Sequence, residues 1–281
     1  MRRNPLLILG IGFLVLLVLF AIFGPLAGGG ITETKWGTFE LPSSRHFLGT
    51  DELGRDVFAR IAYGARVSLS VGLTVQILAL VLGVGAGMIG TFGPRWLSIT
   101  VMRFTDGMFA FPDILLAILI IGLLESNSSF RDGALGKLMA SGFLPVVVAL
   151  SITAWPSFAR LTNTTATSLK DREFVVAAKA LGAPPTYVIL RHVLPQMWGI
   201  LLAVSMVELA GTILAEATLS FLGIGILPPY PSWGSMINLA RDDMVSHPLW
   251  LLWPCLILSL TIFALNFVGD GLRAILDPRR K

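Results

Sequence analysis

Residues 170–195 read KDREFVVAAKALGAPPTYVILRHVLP, a charged segment that lies between two long apolar stretches of the chain. Asp171 and Glu173 suit the start of a helix, because carboxylates complement the unpaired backbone N–H groups there. An alanine-rich stretch continues that helix, Gly182 can end it in the left-handed conformation, and two prolines then force a corner. A second short helix is expected before Pro195. The pattern predicts a helical elbow whose small side chains suit a partner's groove, although an ordinary amphipathic connector would have the same composition.

The composition indicates an integral membrane protein. Of 281 residues, 54% are apolar and 14% are charged, whereas a soluble domain carries about 25% charged residues. A spanning helix needs about 20 apolar residues. The candidate spans are Leu6–Leu26, Val67–Phe92, Ile114–Leu124, Gly142–Ala159, Met197–Val207 with its extension through Ile226, and Leu249–Val268. The third run is long enough only if it starts near Gly107 and includes Asp113. We expect six transmembrane helices, because an odd number would place the two polar ends on opposite sides.

The basic residues predict the orientation of the chain. The first apolar run follows Arg2 and Arg3 and could be a signal peptide. It is longer than the about 7–15 apolar residues typical of one, so a retained anchor is expected. With the amino terminus in the cytoplasm and six spans, thirteen of the 21 Lys and Arg residues lie inside, as the positive-inside rule requires. This orientation places the elbow segment (residues 170–195) and both termini in the cytoplasm.

Two regions are expected along the chain. Residues 1–65 would form an N-terminal transmembrane anchor and an external loop. In that loop Leu53, Val57 and Ile61 recur at helical spacing, which predicts a short interfacial helix leading into the second span. Residues 66–281 would form the main transmembrane domain.

Two glycine-rich stretches have structural interpretations. Gly85–Gly90 matches G-x-G-x-x-G, but a dinucleotide site needs a strand before it and a βαβ unit around it. Because these glycines lie within an apolar run, close packing of helices through small residues, including Gly83 and Gly87, is expected instead. Residues 219–234 hold three prolines and three glycines, which predicts a structured outer loop with Trp233 at the membrane interface.

The small residues of the elbow segment have a characteristic spacing. Ala177 and Ala178 are followed after three residues by Gly182, and Leu194 and Pro195 close the segment. This spacing resembles the cytoplasmic signature E-A-A-x3-G-x9-I-x-L-P of ABC importer permeases. The resemblance favours the partner-groove interpretation over that of an ordinary connector.

Two positions depart from that signature, because Val176 stands where it has Glu and His192 stands where it has Ile. Other stretches nevertheless resemble one branch of the family, the dipeptide/oligopeptide/nickel importers, and its second, C-type permease subunit. These stretches are Leu48–Val57, Gly64–Leu69, Ala215–Gly223, Pro231–Gly234, Asn266–Arg273 and Leu276–Arg279. Together the resemblance covers the chain from about His46 to Arg279.

The resemblance implies a type I ABC importer permease fold with a cytoplasmic coupling helix in the loop 168–195. Its implied partners are a homologous second permease, two ATP-binding cassette subunits, a solute-binding protein outside the membrane, and membrane lipid, but no nucleic acid. The chain lacks G-x-x-x-x-G-K-[ST], since its Gly136-Lys137 pair precedes Leu138, so we expect ATP and Mg²⁺ on the partner ATPases and no cofactor here. The residues expected to couple ATP hydrolysis to transport are Glu173, Ala177, Ala178, Gly182, Leu194 and Pro195.

Two further groups of charged residues are candidate sites. Glu208 and Glu216 lie eight residues apart in one apolar run, roughly on one helix face. Intramembrane carboxylates usually face a cavity or a partner, so these two either line the pathway or form buried hydrogen bonds. Arg55, Asp56 and Arg60 either form a docking rim for the solute-binding protein or a solvated, self-paired surface.

Short peptides are the expected substrate, with nickel or a metal chelate as the alternative within the same branch. His46 and His247 fall outside and His192 inside on the predicted topology, so no metal site is predicted. A membrane-embedded enzyme has less support, because H-E-x-x-H and G-x-S-x-G are both missing from the sequence. A channel would leave the elbow segment without a role. The expected location is the cytoplasmic (inner) membrane of a bacterium or archaeon, crossed several times.

Overall fold

The structure, a computed structural model, describes residues 5–27, 30–126 and 136–276, and within these ranges it contains helices and no β-strand. The helices are α1 (Pro5–Ala27), α2 (Val57–Phe92), α3 (Arg95–Met108), α4 (Asp113–Ser126), α5 (Gly136–Ala140), α6 (Phe143–Leu169), α7 (Glu173–Ala180), α8 (Pro185–Val188), α9 (Leu194–Phe221), α10 (Trp233–Ala240) and α11 (Pro248–Leu276). A π-helical turn, Ile189–Val193, joins α8 to α9, and a 3-10 turn, Arg241–Asp243, follows α10. The all-α prediction is confirmed.

Five helices among the described residues are long and apolar enough to cross a membrane, namely α1, α2, α6, the run from α8 to α9, and α11. The pair α3 and α4 supplies a sixth crossing only if a break of 97° is counted within one span. Helix α4 is about 21 Å long, which is short of a hydrocarbon core of about 30 Å. The third span does not start near Gly107, because Pro112 disfavours helical conformation at the residue before it.

Helix α3 has the character of a helix that lies in the membrane interface. Trp96 and Phe104 are largely exposed apolar side chains on it. Arg95 and Arg103 are exposed cations on the same helix. Apolar residues combined with basic ones suit the boundary between headgroups and acyl chains. This explains why α3 meets α4 at an angle rather than continuing it across the bilayer.

Helix α2 begins at Val57 because Asp56 caps it, with Oδ1 accepting hydrogen bonds from the backbone N–H groups of Phe58 at 2.9 Å and Ala59 at 3.5 Å. The short interfacial helix that the sequence predicted is not a separate element. Val57 and Ile61 belong to the first turns of this 36-residue helix, and Leu53 lies in the turn before it. The expected division of the chain after residue 65 therefore falls inside one continuous helix.

The glycines of α2 form a packing face against α6. A Cβ atom added at Gly87 would lie 2.5 Å from Cβ of Thr162 and 2.6 Å from the carbonyl oxygen of Ala159. One added at Gly83 would lie 2.6 Å from the carbonyl oxygen of Trp155. Only hydrogen at these positions lets the two backbones come this close. The predicted role of these glycines in helix packing is confirmed.

The first and last helices close the bundle around α2 and α9. Leu17 and Ala21 of α1 share a buried apolar cluster with Leu209 of α9 and Leu265 of α11. A Cβ atom at Gly10 would lie 2.9 Å from the carbonyl oxygen of Ala264, so α1 and α11 also approach closely. Helix α1 is thus packed into the bundle along one side.

Helix α10 lies against the N-terminal end of α2 and the C-terminal end of α9 and is fixed there by Trp233. This side chain is fully buried, and its indole N–H donates a hydrogen bond to the carbonyl oxygen of Ile61 at 3.2 Å. The ring is therefore enclosed by protein and does not face lipid headgroups directly. Gly64 leaves room for the ring, since a Cβ atom there would lie 3.1 Å from Cδ1 of Trp233.

Candidate functional site

The elbow segment folds as a short helix, a tight corner and a second helix that continues into α9. Gly182 has a φ of +82°, and its N–H donates to the carbonyl oxygen of Lys179 at 2.9 Å. The N–H of Ala183 donates to the carbonyl oxygen of Ala178 at 3.1 Å. These two bonds form a Schellman closure, in which glycine is favoured at the left-handed position. The sequence located this corner correctly.

One face of the elbow segment is packed against the ends of α6 and α9. Val175, Ala178 and Val193 are buried in one apolar cluster with Phe158 of α6 and Met197 of α9. Because closely packed side chains resist compression, a displacement of α7 would be transmitted to both long helices. The segment is therefore packed onto the helical bundle and is not a loose loop.

The other face of the elbow segment is uncovered in this chain. Glu173 and Ala177 are exposed there, whereas Ala178 faces the bundle. Leu194 is half-buried and Pro195 is exposed at the start of α9. Exposed apolar side chains that lie close together mark a surface that a protein or a membrane covers. The large apolar side chains exposed on this segment are Phe174, Val176, Leu181, Tyr187 and Leu190.

Glu208 borders a cavity of about 190 Å³ between α4, α6 and α9. Asp113 of α4 lies on the same cavity, together with Thr153 and Ser157 of α6. With Thr212 of α9, the cavity therefore has two carboxylates and three hydroxyls in its wall. Neither carboxylate forms an ion pair with another of the residues that the structure describes. A cationic group entering this space would find carboxylates without competing partners.

A second cavity, of about 400 Å³, follows along α6 toward the elbow segment. Ser157 lines both cavities, so the two adjoin. Arg160 lies in the second one, where its Nη2 is 2.9 Å from Oδ1 of Asp106 and its guanidinium carbon is 4.0 Å from the ring centre of Phe109. The sequence analysis missed Arg160 as a site residue. The available signal was an arginine directly after the apolar run that ends at Ala159.

Glu216 lies away from both cavities and is fully buried. Its Oε2 accepts a hydrogen bond from Oγ of Ser68 at 2.8 Å, and its Oε1 accepts one from Oγ of Ser220 at 2.8 Å. Oγ of Ser220 also accepts a bond from the N–H of Ile226 at 3.0 Å. This is the buried hydrogen-bonding arrangement that the sequence left open for Glu216. It ties α2 to α9 and to the outer corner.

The residues proposed as a docking rim are mostly turned inward. Asp51 Oδ2 lies 2.6 Å from Nε of Arg55 and 3.4 Å from Nε of Arg60, and only 1% of the Asp51 side chain is exposed. Asp56 is buried as the cap of α2. The group is self-paired but not solvated, because the loop between α1 and α2 folds over it. Burial raises the pKa of the nearby Glu52 carboxyl, and Arg55 partly opposes this increase.

Metal ligands do not converge anywhere in the described part of the chain. No group of three or more His, Cys, Asp or Glu side chains there could hold an ion. His46 Nε2 lies 2.6 Å from Oε2 of Glu40, and His247 stacks on Phe39 with ring centres 3.8 Å apart. His192 packs edge-on against Tyr187, far along the chain in the elbow segment. The three histidines serve separate local contacts.

Comparisons with known proteins agree with this architecture. The sequence model of a family described as "Binding-protein-dependent transport system inner membrane component" matches residues 79–281. The glutathione transport system permease protein GsiD of Pectobacterium atrosepticum is 38% identical over 242 residues, which are 86% of this chain and 75% of that protein. The dipeptide transport system permease protein DppC of Alkalihalophilus pseudofirmus is 36% identical over 283 residues, which cover 100% of this chain and 88% of that protein.

Among solved structures, the inward-facing MetNI methionine ABC transporter matches with a TM-score of 0.60 at 18% identity, covering 75% of this chain and 94% of that one. This likeness concerns the fold, which is that of a type I ABC importer permease. The relatives are permease subunits, and in this family separate subunits hydrolyse ATP. The chain belongs to the binding-protein-dependent transport system inner membrane components, the multi-pass permease subunits of ABC importers.

Proposed function

We propose that this chain forms half of the translocation pathway for short peptides and works by alternating access with a homologous second permease. One relative is named for dipeptide transport and another for glutathione transport, and both substrates are short peptides. Nickel and metal chelates remain the second possibility from the resemblance, and no residue cluster in the described chain favours them. Peptide is therefore the substrate class that we assign.

The elbow segment carries this proposal, because it is a packed lever with an uncovered outer face. The helix runs from Pro185 to Phe221 as one candidate span, so a force on α7 acts directly on the helix that bears Glu208. An ATPase docked on the exposed residues would move α6 and α9 together when it closes, and the cavities would change the side to which they open. The coupling loop of this unit is 168–195.

The partners follow from this mechanism. ATP and Mg²⁺ would be bound by two ATPase subunits on the cytoplasmic side, and a solute-binding protein would deliver the peptide outside. The positive-inside count supports cytoplasmic placement of the elbow segment and of both termini in an inner membrane. Residues 1–65 would then supply the first crossing and the external loop, and the remaining chain would supply the permease domain.

Ala177 provides the test of coupling, because it is exposed on α7 and a larger side chain there does not disturb the bundle. In the reconstituted importer, Ala177→Arg should leave the permease in the membrane but reduce ATP-driven peptide uptake at least tenfold, about 1.4 kcal/mol of lost docking. Ala177→Ser, which keeps a small side chain, should transport normally. Unchanged uptake by Ala177→Arg would remove the elbow segment from the coupling mechanism.

A further inference from the structure

The two cavities along α6 form one polar path whose ends carry opposite charges. Ser157 belongs to both cavities. On one side of it the wall contains the carboxylates of Asp113 and Glu208. On the other side, nearer the elbow segment, the wall contains the guanidinium of Arg160. A path that is negative at one end and positive at the other suits a ligand that also carries one positive and one negative end.

The charged groups at both ends of the path can form further contacts with a ligand. Within the described chain, no cation pairs with Glu208 or Asp113, although carboxylates at membrane depth are normally paired or face a pathway. Arg160 has five N–H donors, and its one hydrogen bond within the described residues goes to Asp106. Half of its side chain, 52%, is exposed. The guanidinium can therefore accept an anionic group while Asp106 and the ring of Phe109 hold it in place.

The spacing of the two ends matches a short peptide. Thr153 and Ser157 frame the acidic cavity, whereas Arg160 and Thr164 frame the basic one. The centres of these two pairs lie about seven residues apart on α6, which is a rise of about 10 Å. An extended chain of two or three residues spans at most about 7–11 Å. A peptide of three residues can therefore place its ammonium group and its carboxylate at opposite ends simultaneously, whereas one of two residues is about 3 Å too short.

We propose that this path selects zwitterionic peptides of three residues, with the ammonium group at Glu208 and Asp113 and the carboxylate at Arg160. Because Arg160 lies nearer the elbow segment, the peptide leaves toward the cytoplasm with its carboxylate first. A peptide blocked at either end loses one of two charge-assisted contacts. This inference rests on the proposed peptide import and adds the chemistry that the permease itself recognises.

The test compares uptake of trialanine, N-acetyl-trialanine and trialanine amide by the complete importer reconstituted with its solute-binding protein. In Glu208→Gln the preference for trialanine over the N-acetyl form should fall about tenfold, the effect of one hydrogen bond to a charged group, while the preference over the amide should stay. Arg160→Gln should show the reverse pattern. Each ratio is taken within one variant and with one binding protein, so differences in protein yield and the binding protein's own preference cancel between variants.

Arg103→Gln is the matched control, since Arg103 is exposed on α3 and lines neither cavity. Both of its ratios should equal those of the unmodified importer. Peptide uptake with unchanged ratios in both test variants would overturn this inference alone. Exchanged patterns would overturn the proposed orientation. No ATP-dependent uptake of any of the three peptides by the unmodified importer would overturn the proposed peptide function, and this inference with it.

Discussion

Helix α2 contains two glycines, two residues apart, whose surroundings predict opposite effects of the same substitution. In Gly87→Ala the new methyl group would lie 2.5 Å from Cβ of Thr162 and 2.6 Å from the carbonyl oxygen of Ala159. Ordinary carbon contacts are about 3.5–4.0 Å, and the backbone oxygen of Ala159 cannot rotate away, so α2 and α6 must separate by about 1 Å. Overpacking of this kind costs about 1–3 kcal/mol, against a gain in helix propensity of at most about 1 kcal/mol.

Gly85→Ala is the matched control, because no atom lies within 4 Å of its added Cβ. Only the gain in helix propensity remains there, which predicts a stabilisation of about 0.5–1 kcal/mol. Thermal unfolding of the purified importer should therefore give melting temperatures on either side of the unmodified protein, with each kcal/mol worth about 2–4 °C. Equal melting temperatures, or a lower value for Gly85→Ala, would refute the assignment of the α2–α6 packing face.

Three further substitutions test separate parts of the structure. Asp51→Asn should lower the free energy of unfolding by about 3 kcal/mol, since it leaves the buried guanidinium of Arg60 and the 15% exposed one of Arg55 without this carboxylate. Asp242→Asn, at an exposed pair, should change the free energy of unfolding by less than about 1 kcal/mol. Equal losses in thermal unfolding would contradict the buried cluster around Asp51. The Gly182→Asp variant should insert into the membrane normally, but its ATP hydrolysis should be uncoupled from uptake. Gly182→Asn, which tolerates the same backbone conformation without the charge, should retain more uptake. Wild-type uptake by Gly182→Asp would count against coupling through the elbow segment. Glu216→Ala should lower the free energy of unfolding by about 2–4 kcal/mol, because it leaves a cavity and leaves the hydroxyl of Ser68 without its partner. Unchanged stability in thermal unfolding would contradict the buried position of Glu216 between Ser68 and Ser220.

The features that sequence reasoning predicted well depend on local chemistry. The helix α7 and its end at Gly182 follow from alanine content, an acidic first turn and a glycine at the left-handed position. The packing role of Gly83 and Gly87 follows from their spacing within an apolar run. Each of these signals involves residues within a few turns of one another. The third membrane crossing was harder to predict, because Pro112 interrupts the helix that composition alone would allow to run on from Gly107.

The features that sequence reasoning could not decide depend on contacts between distant segments. Glu208 and Glu216 share one helix, but eight residues rotate the side chain by about 80° around its axis. That rotation is enough to turn Glu208 to the cavity and Glu216 to Ser68, which is 148 positions earlier. Arg55 and Arg60 similarly appeared as surface charges, because their burial depends on how the external loop folds over Asp51.

Helix α6 connects the lever and the polar path within one rigid element. Phe158 is fully buried in the cluster that contains Val175 of α7, whereas Ser157 and Arg160 on the same turns line the cavities. Met197 of α9 belongs to the same cluster, and a close-packed interior shifts as a unit, so a movement of α7 would carry α6 and α9 together. Arg160 and Glu208 would then keep their spacing, and in the proposed mechanism ATP hydrolysis would change the side of the membrane to which the polar path opens.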